Sequence, residues 1–133
     1  MDLRLFNHGC HRWFTDVADR NQMTKKGVYQ KEIKKIIQQI KERYQPEKII
    51  LFGSFVYGKP KENSDVDLLV IKKTKKRLGW RLFEVAKVID SEWGTDILVY
   101  TPQEWEERLR KKHYFFKEIN EKGNLVYEKN RYR

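Results

Sequence analysis

Asp65 and Asp67 stand one residue apart at the head of the apolar run Leu68-Leu69-Val70-Ile71, and no other stretch constrains the chain as tightly. A short run of this kind forms a strand, in which side chains two apart point the same way. Both carboxylates therefore leave one face of one strand. Two like charges held side by side are unfavourable unless a cation lies between them. Hard oxygen ligands at this spacing suit Mg²⁺, which keeps some waters and completes its shell with phosphate oxygens. The pair implies a metal, and the metal implies a phosphate.

A place for the phosphate lies upstream, where Ile49-Ile50-Leu51-Phe52 reads as a buried strand ending at Gly53-Ser54. Glycine lets backbone approach an anion closely, and the Ser54 hydroxyl and nearby amides can donate hydrogen bonds to it. Phosphoryl and nucleotidyl transfer demand mainly positioning and neutralisation of charge, which these residue types supply.

Gly53-Ser54, then ten residues from Phe55 to Ser64, then Asp65-Val66-Asp67 resembles the signature of the polymerase-β-type nucleotidyltransferase superfamily. The short chain is similar to its minimal (MNT) branch, over roughly residues 33 to 127. The resemblance implies a polymerase-β-like core binding two Mg²⁺ ions, with ATP as substrate, Gly53 and Ser54 holding the triphosphate, and Asp65 and Asp67 as metal ligands. It also implies a third carboxylate on a later strand, holding the metal that activates the acceptor hydroxyl. Asp96, in Gly94-Thr95-Asp96-Ile97-Leu98-Val99-Tyr100, is the favoured residue, just after a glycine that can end the preceding helix, with Asp90 and Glu92 as rivals near the end of a helical stretch.

Coarse patterning agrees with an α/β fold, a small mixed β-sheet flanked by helices. Ile33, Ile36, Ile37 and Ile40 recur at helical spacing, and this first helix ends near Tyr44-Gln45-Pro46. After the strand into Gly53 come a short helical turn over Phe55 to Tyr57, a loop to Ser64 and the strand of the acids. The stretch from Lys76 to Trp93 is predicted helical, with Leu78, Leu82, Val85, Ala86 and Ile89 as its buried face. Thr101-Pro102-Gln103-Glu104 has the form of a capping box opening a helix to about Lys112, whose Trp105 and Leu109 are packing residues. One more helix over Phe115 to Ile119, a short strand at Leu125 to Tyr127 and a frayed end from Glu128 to Arg133 complete the chain.

The 133 residues suit one domain, placed at residues 23–133, preceded by a flexible extension over residues 1–22. No run of about eighteen apolar residues is present to cross a bilayer, and the N-terminus lacks a signal-peptide core. Cys10 is the sole cysteine, so no intrachain disulfide can form. These features predict a cytoplasmic protein without membrane association. His8-Gly9-Cys10-His11 lacks the spacing of a metal site.

The formal charge of +10 permits nucleic-acid binding without compelling it, since an acidic protein partner is served equally well. Lys72-Lys73-Thr74-Lys75-Lys76-Arg77 is the dense cluster, able to steer ATP or an acidic partner surface; Lys59 and Lys61 are weaker candidates for triphosphate contacts. MNT proteins act as antitoxins of HEPN-domain ribonucleases. The resemblance therefore implies transfer of AMP to a tyrosine of such a toxin within a hetero-oligomer. Transfer to RNA ends or to a small hydroxylated molecule remains an alternative, as does a non-catalytic antitoxin acting by binding.

Overall fold

A computed structural model describes residues 25–58 and 64–129. The expected extension at 1–22, the His8 to His11 cluster, Lys59, Lys61 and the end from 130 onward lie outside the described residues. The elements are α1 (Lys25–Arg43), β1 (Lys48–Phe52), α2 (Ser54–Tyr57), β2 (Val66–Ile71), α3 (Leu78–Val88), β3 (Thr95–Tyr100), α4 (Pro102–Arg110), α5 (Tyr114–Lys122) and β4 (Asn124–Glu128). The strands form one mixed sheet in the order β3-β2-β1-β4, with β2 and β3 parallel and β1 antiparallel to both β2 and β4.

Apart from Lys48 and Asp67 the central strands are apolar, because both faces of the sheet are covered. On one face Ile49, Leu51, Val66, Leu68 and Val70 pack with Ile33, Ile36, Ile37 and Ile40 of α1 and with Val85 of α3. On the other, Ile50, Phe52, Leu69 and Ile71 pack with Trp105 of α4 and Ile119 of α5. The isoleucines of α1 and the capping box of α4 therefore do what their spacing predicts. The Thr101 hydroxyl accepts from the Glu104 amide at 3.1 Å, and the Glu104 carboxylate accepts from the Thr101 amide at 3.0 Å. Lys72 closes α1 by donating from Nζ to the Tyr44 carbonyl at 2.7 Å, beside the left-handed Gln45 (φ 54).

The helix after the acids departs from its sequence reading in phase and length. Arg81 and Val85 face inward, whereas Leu78, Leu82 and Ala86 face solvent. Arg81 sets that phase. Its guanidinium donates through Nη1 and Nη2 to the two oxygens of Glu104, at 2.7 and 3.1 Å, and through Nε to the Lys76 carbonyl at 2.7 Å. A bidentate charge-assisted pair with directional geometry outweighs the burial of two leucines that can stay half-exposed. The helix stops at Val88 rather than Trp93, with Ile89 extended. The following turn is tied to α1: the Asp90 amide donates to Gln39 Oε1 at 2.9 Å, and the Ser91 hydroxyl donates to Glu32 at 2.6 Å.

Candidate active site

The register of β2 on β3 pairs Asp67 with Asp96. Neighbouring strands of a sheet lie about 4.8 Å apart, so the two carboxylates leave the sheet as a pair, on the face covered by α4 and α5. Asp65 precedes β2 by one residue and is exposed; its place beside β3 is marked by Gly94, whose carbonyl accepts from the Val66 amide at 2.9 Å.

Two glycines make room for these side chains. A Cβ on Gly94 would lie 2.2 Å from Oδ1 of Asp65, and one on Gly53 would lie 2.0 Å from Oδ2 of Asp67. Gly53 also has φ 81, a conformation that L side chains rarely adopt. The anion that Gly53 approaches in this structure is thus the Asp67 carboxylate itself. Ser54 begins α2 immediately afterwards, whose turn is closed by the Val56 and Tyr57 amides donating to the Gly53 carbonyl at 2.9 Å. Phe55 anchors that turn in the core, stacked on Trp93 with ring centroids 6.3 Å apart.

Electrostatics separate Asp67 from an ordinary surface acid. Burial first, and then the charges of Asp96 and Asp65, raise its carboxyl to about 6. Among the described residues none of the three acids has a lysine, arginine or histidine as ion-pair partner. A half-buried carboxylate repelled by two others and paired with no cation among the described residues is in the environment a divalent ion relieves. Mg²⁺ therefore fits the donor set, although among the described residues no three His, Cys, Asp or Glu side chains close on a common point.

The rival acids are not brought into this row. Asp90 and Glu92 sit in the α3–β3 turn, the former held by its backbone to Gln39. The basic run from Lys72 to Arg77 leaves the opposite end of β2, five residues beyond Asp67, or about 16 Å along an extended strand. Its expected role in steering ATP to the acids finds no support in that placement.

Three neighbours of the site carry little signal in sequence. Gly94 reads there as a helix terminator, but in the fold it is the space that Asp65 occupies. Tyr57 is exposed at the end of α2, and burial, Glu118 and Asp67 together raise its hydroxyl above the usual tyrosine range, against an opposing effect of the Gly53 backbone. Phe115 of α5 packs edge-on against Phe52 at 6.0 Å, and Phe52 is the cross-strand partner of Asp67. Helix α5 thus brings an aromatic flank beside the carboxylates, a juxtaposition with no local signature.

Residues 33–129 match the family model described as nucleotidyltransferase domain. No curated protein matches the sequence. Among solved structures, the crystal structure of a candidate nucleotidyltransferase from Sulfolobus solfataricus is similar, with a TM-score of 0.55 and 20% identity over 76% of this chain and 81% of that one. At that identity the likeness is one of fold.

Proposed function

The chain belongs to the nucleotidyltransferase domain family, and from that premise we propose that it transfers AMP from ATP to a tyrosine of a cognate HEPN-domain ribonuclease toxin, acting as its antitoxin. The observation that carries the catalytic part is the carboxylate row, with Asp67 opposite Asp96, Asp65 beside them, and no cation paired with them among the described residues. Bound Mg²⁺ would supply neutralisation of the triphosphate and of the charge that develops on the attacking and leaving oxygens.

In this reading Asp65 and Asp67 would bind the metal, and Asp96 would hold the ion that activates the acceptor hydroxyl and receive its proton. Gly53 and Ser54 would hold the triphosphate, because the turn that carries them lies against Asp67. The tyrosine oxygen bonds to the α-phosphorus as the bond from that phosphorus to the bridging oxygen breaks, and pyrophosphate departs. A protein acceptor is favoured because the described residues form a catalytic core with no separate module to hold RNA or a small molecule.

Intact mass spectrometry tests this directly. The full-length chain is incubated with the product of the neighbouring reading frame, ATP and Mg²⁺, in parallel with the Asp65→Asn variant. The expected result is a mass gain in steps of one AMP, absent with the variant. No gain, with ATP still bound, would transfer the assignment to an RNA or small-molecule acceptor. Neutralisation that survives Asp65→Asn would make it an antitoxin by occlusion.

A further inference from the structure

The phase that Arg81 imposes on α3 leaves an apolar stripe in water. Leu78 is 49% exposed, Trp80 53%, Leu82 36% and Phe83 51%. At about 100° per residue, Leu78 and Leu82 lie along one edge of the exposed face and Phe83 and Trp80 along the other, their rings 5.3 Å apart. Small residues run between the two edges: Ala86 is exposed, and a Cβ added at Gly79 would meet nothing within 4 Å. The result is a shallow trough bordered by leucines and aromatics, large for an unpartnered helix face.

Its rim is basic. Lys73, Lys75 and Arg77 precede the helix on the connector and have no ion-pair partner among the described residues. Lys87 lies over the Phe83 ring with its ammonium 5.3 Å from the centroid. The inward side of α3 shares its core with Val66, Leu68 and Val70, whereas Asp67 leaves β2 on the opposite face, so the trough and the carboxylates lie on different sides of the sheet.

We propose that this face of α3 is a docking site for an acidic amphipathic protein segment, one that lays an apolar ridge between Leu82 and Phe83 and sets carboxylates against Lys75, Arg77 and Lys87. Charge complementarity selects that occupant. A second copy of the chain would bring another +10 of like charge to the interface. A polynucleotide would use the cations and the rings but would gain nothing from the two leucines. A helix ridge with acidic flanks uses all three features, in the helix-in-groove manner.

The test uses the full-length protein and a fluorescein-labelled peptide of glutamates and leucines, with leucines at i, i+3, i+4 and i+7, read by anisotropy. Saturable binding is expected. Trp80→Ala with Phe83→Ala should weaken it at least about tenfold, as buried aromatic anchors do. Lys75→Glu with Arg77→Glu should weaken it similarly at low salt, while Asp65→Asn should leave it unchanged, which separates this surface from nucleotidyl transfer. All substituted side chains are exposed, and circular dichroism checks that each variant is folded. The proposal is overturned by absence of saturable binding or by affinity that ignores the aromatic substitutions. It is equally overturned by tighter binding of an oligouridylate that the same substitutions abolish, or by a dimer of the chain that they disperse.

Discussion

Asp67 shows how a residue can be costly to the fold at the place where the proposed chemistry needs it. With its carboxyl raised to about 6 from an unfolded value near 3.8, the folded state holds more protons than the unfolded state across that interval. Stability contributed by the protonated form is therefore present at low pH and lost as pH rises through about 6. In metal-free solution at pH 7.5, Asp67→Asn should raise the melting temperature, by an amount equivalent to about 1 kcal/mol once solvent screening of a half-exposed group is allowed for. The gain should vanish near pH 4, where wild-type Asp67 is protonated, and thermal melts at the two pH values decide it. The same substitution should reduce transfer by at least about a hundredfold, because it removes a charge that neutralisation of the triphosphate depends on. Gly53→Ala has the reverse sign: the φ of 81, and a new Cβ that would meet Asp67 Oδ2 at 2.0 Å, should cost about 2 kcal/mol in chemical denaturation. Tyr44 supplies a milder case. Its buried hydroxyl has no hydrogen-bond partner among the described residues, so Tyr44→Phe should leave stability unchanged or improve it.

At the scale of elements, the Arg81–Glu104 pair joins α3 to α4 across the end of β3. Arg81 is buried while the Glu104 side chain is 42% exposed, so the guanidinium depends more on its partner than the carboxylate does. Hydrogen bonding to Glu104 raises the Arg81 pKa, and hydrogen bonding to Arg81 depresses that of Glu104. A depressed carboxyl contributes stability that is present above its unfolded value and lost as pH falls through its folded value. Glu104→Ala should cost about 2 to 3 kcal/mol, combining a lost helix cap with a stranded buried charge. Glu104→Gln, which can keep the cap, should cost less. Urea denaturation of the two variants separates the contributions, and near-equal losses would mean that the charged pair with Arg81 alone matters.

For the whole molecule, the mixed sheet is the frame that sets Asp67 opposite Asp96 and within electrostatic reach of Asp65. A divalent ion should then stabilise the protein globally through binding to the folded state alone. Differential scanning fluorimetry should show Mg²⁺ raising the melting temperature of wild type, reversal by a chelator, and no rise in an Asp65→Asn, Asp67→Asn, Asp96→Asn variant. An equal rise in the triple variant would place the ion elsewhere. Among the described residues no helix is long and apolar enough to cross a membrane.

The acid-bearing strands, the glycine turn after β1, the isoleucine face of α1 and the cap of α4 were legible in sequence because each is a local pattern, fixed by a period of 2 or 3.6 or by hydrogen bonds within a turn. Asp96 was legible for the same reason, as a carboxylate at the mouth of an apolar strand. Only tertiary structure decided that β3 lies parallel to β2 in the register that sets Asp96 beside Asp67, since register depends on which neighbour a strand finds. It also turned Gly94 from a helix terminator into space for Asp65, and carried the cationic connector to the far end of the sheet. The rotation of α3 is the clearest case. Its sequence offers an apolar face of leucines, but the fold buries Arg81 instead, because Glu104, more than twenty residues away, supplies a partner that no local pattern reveals.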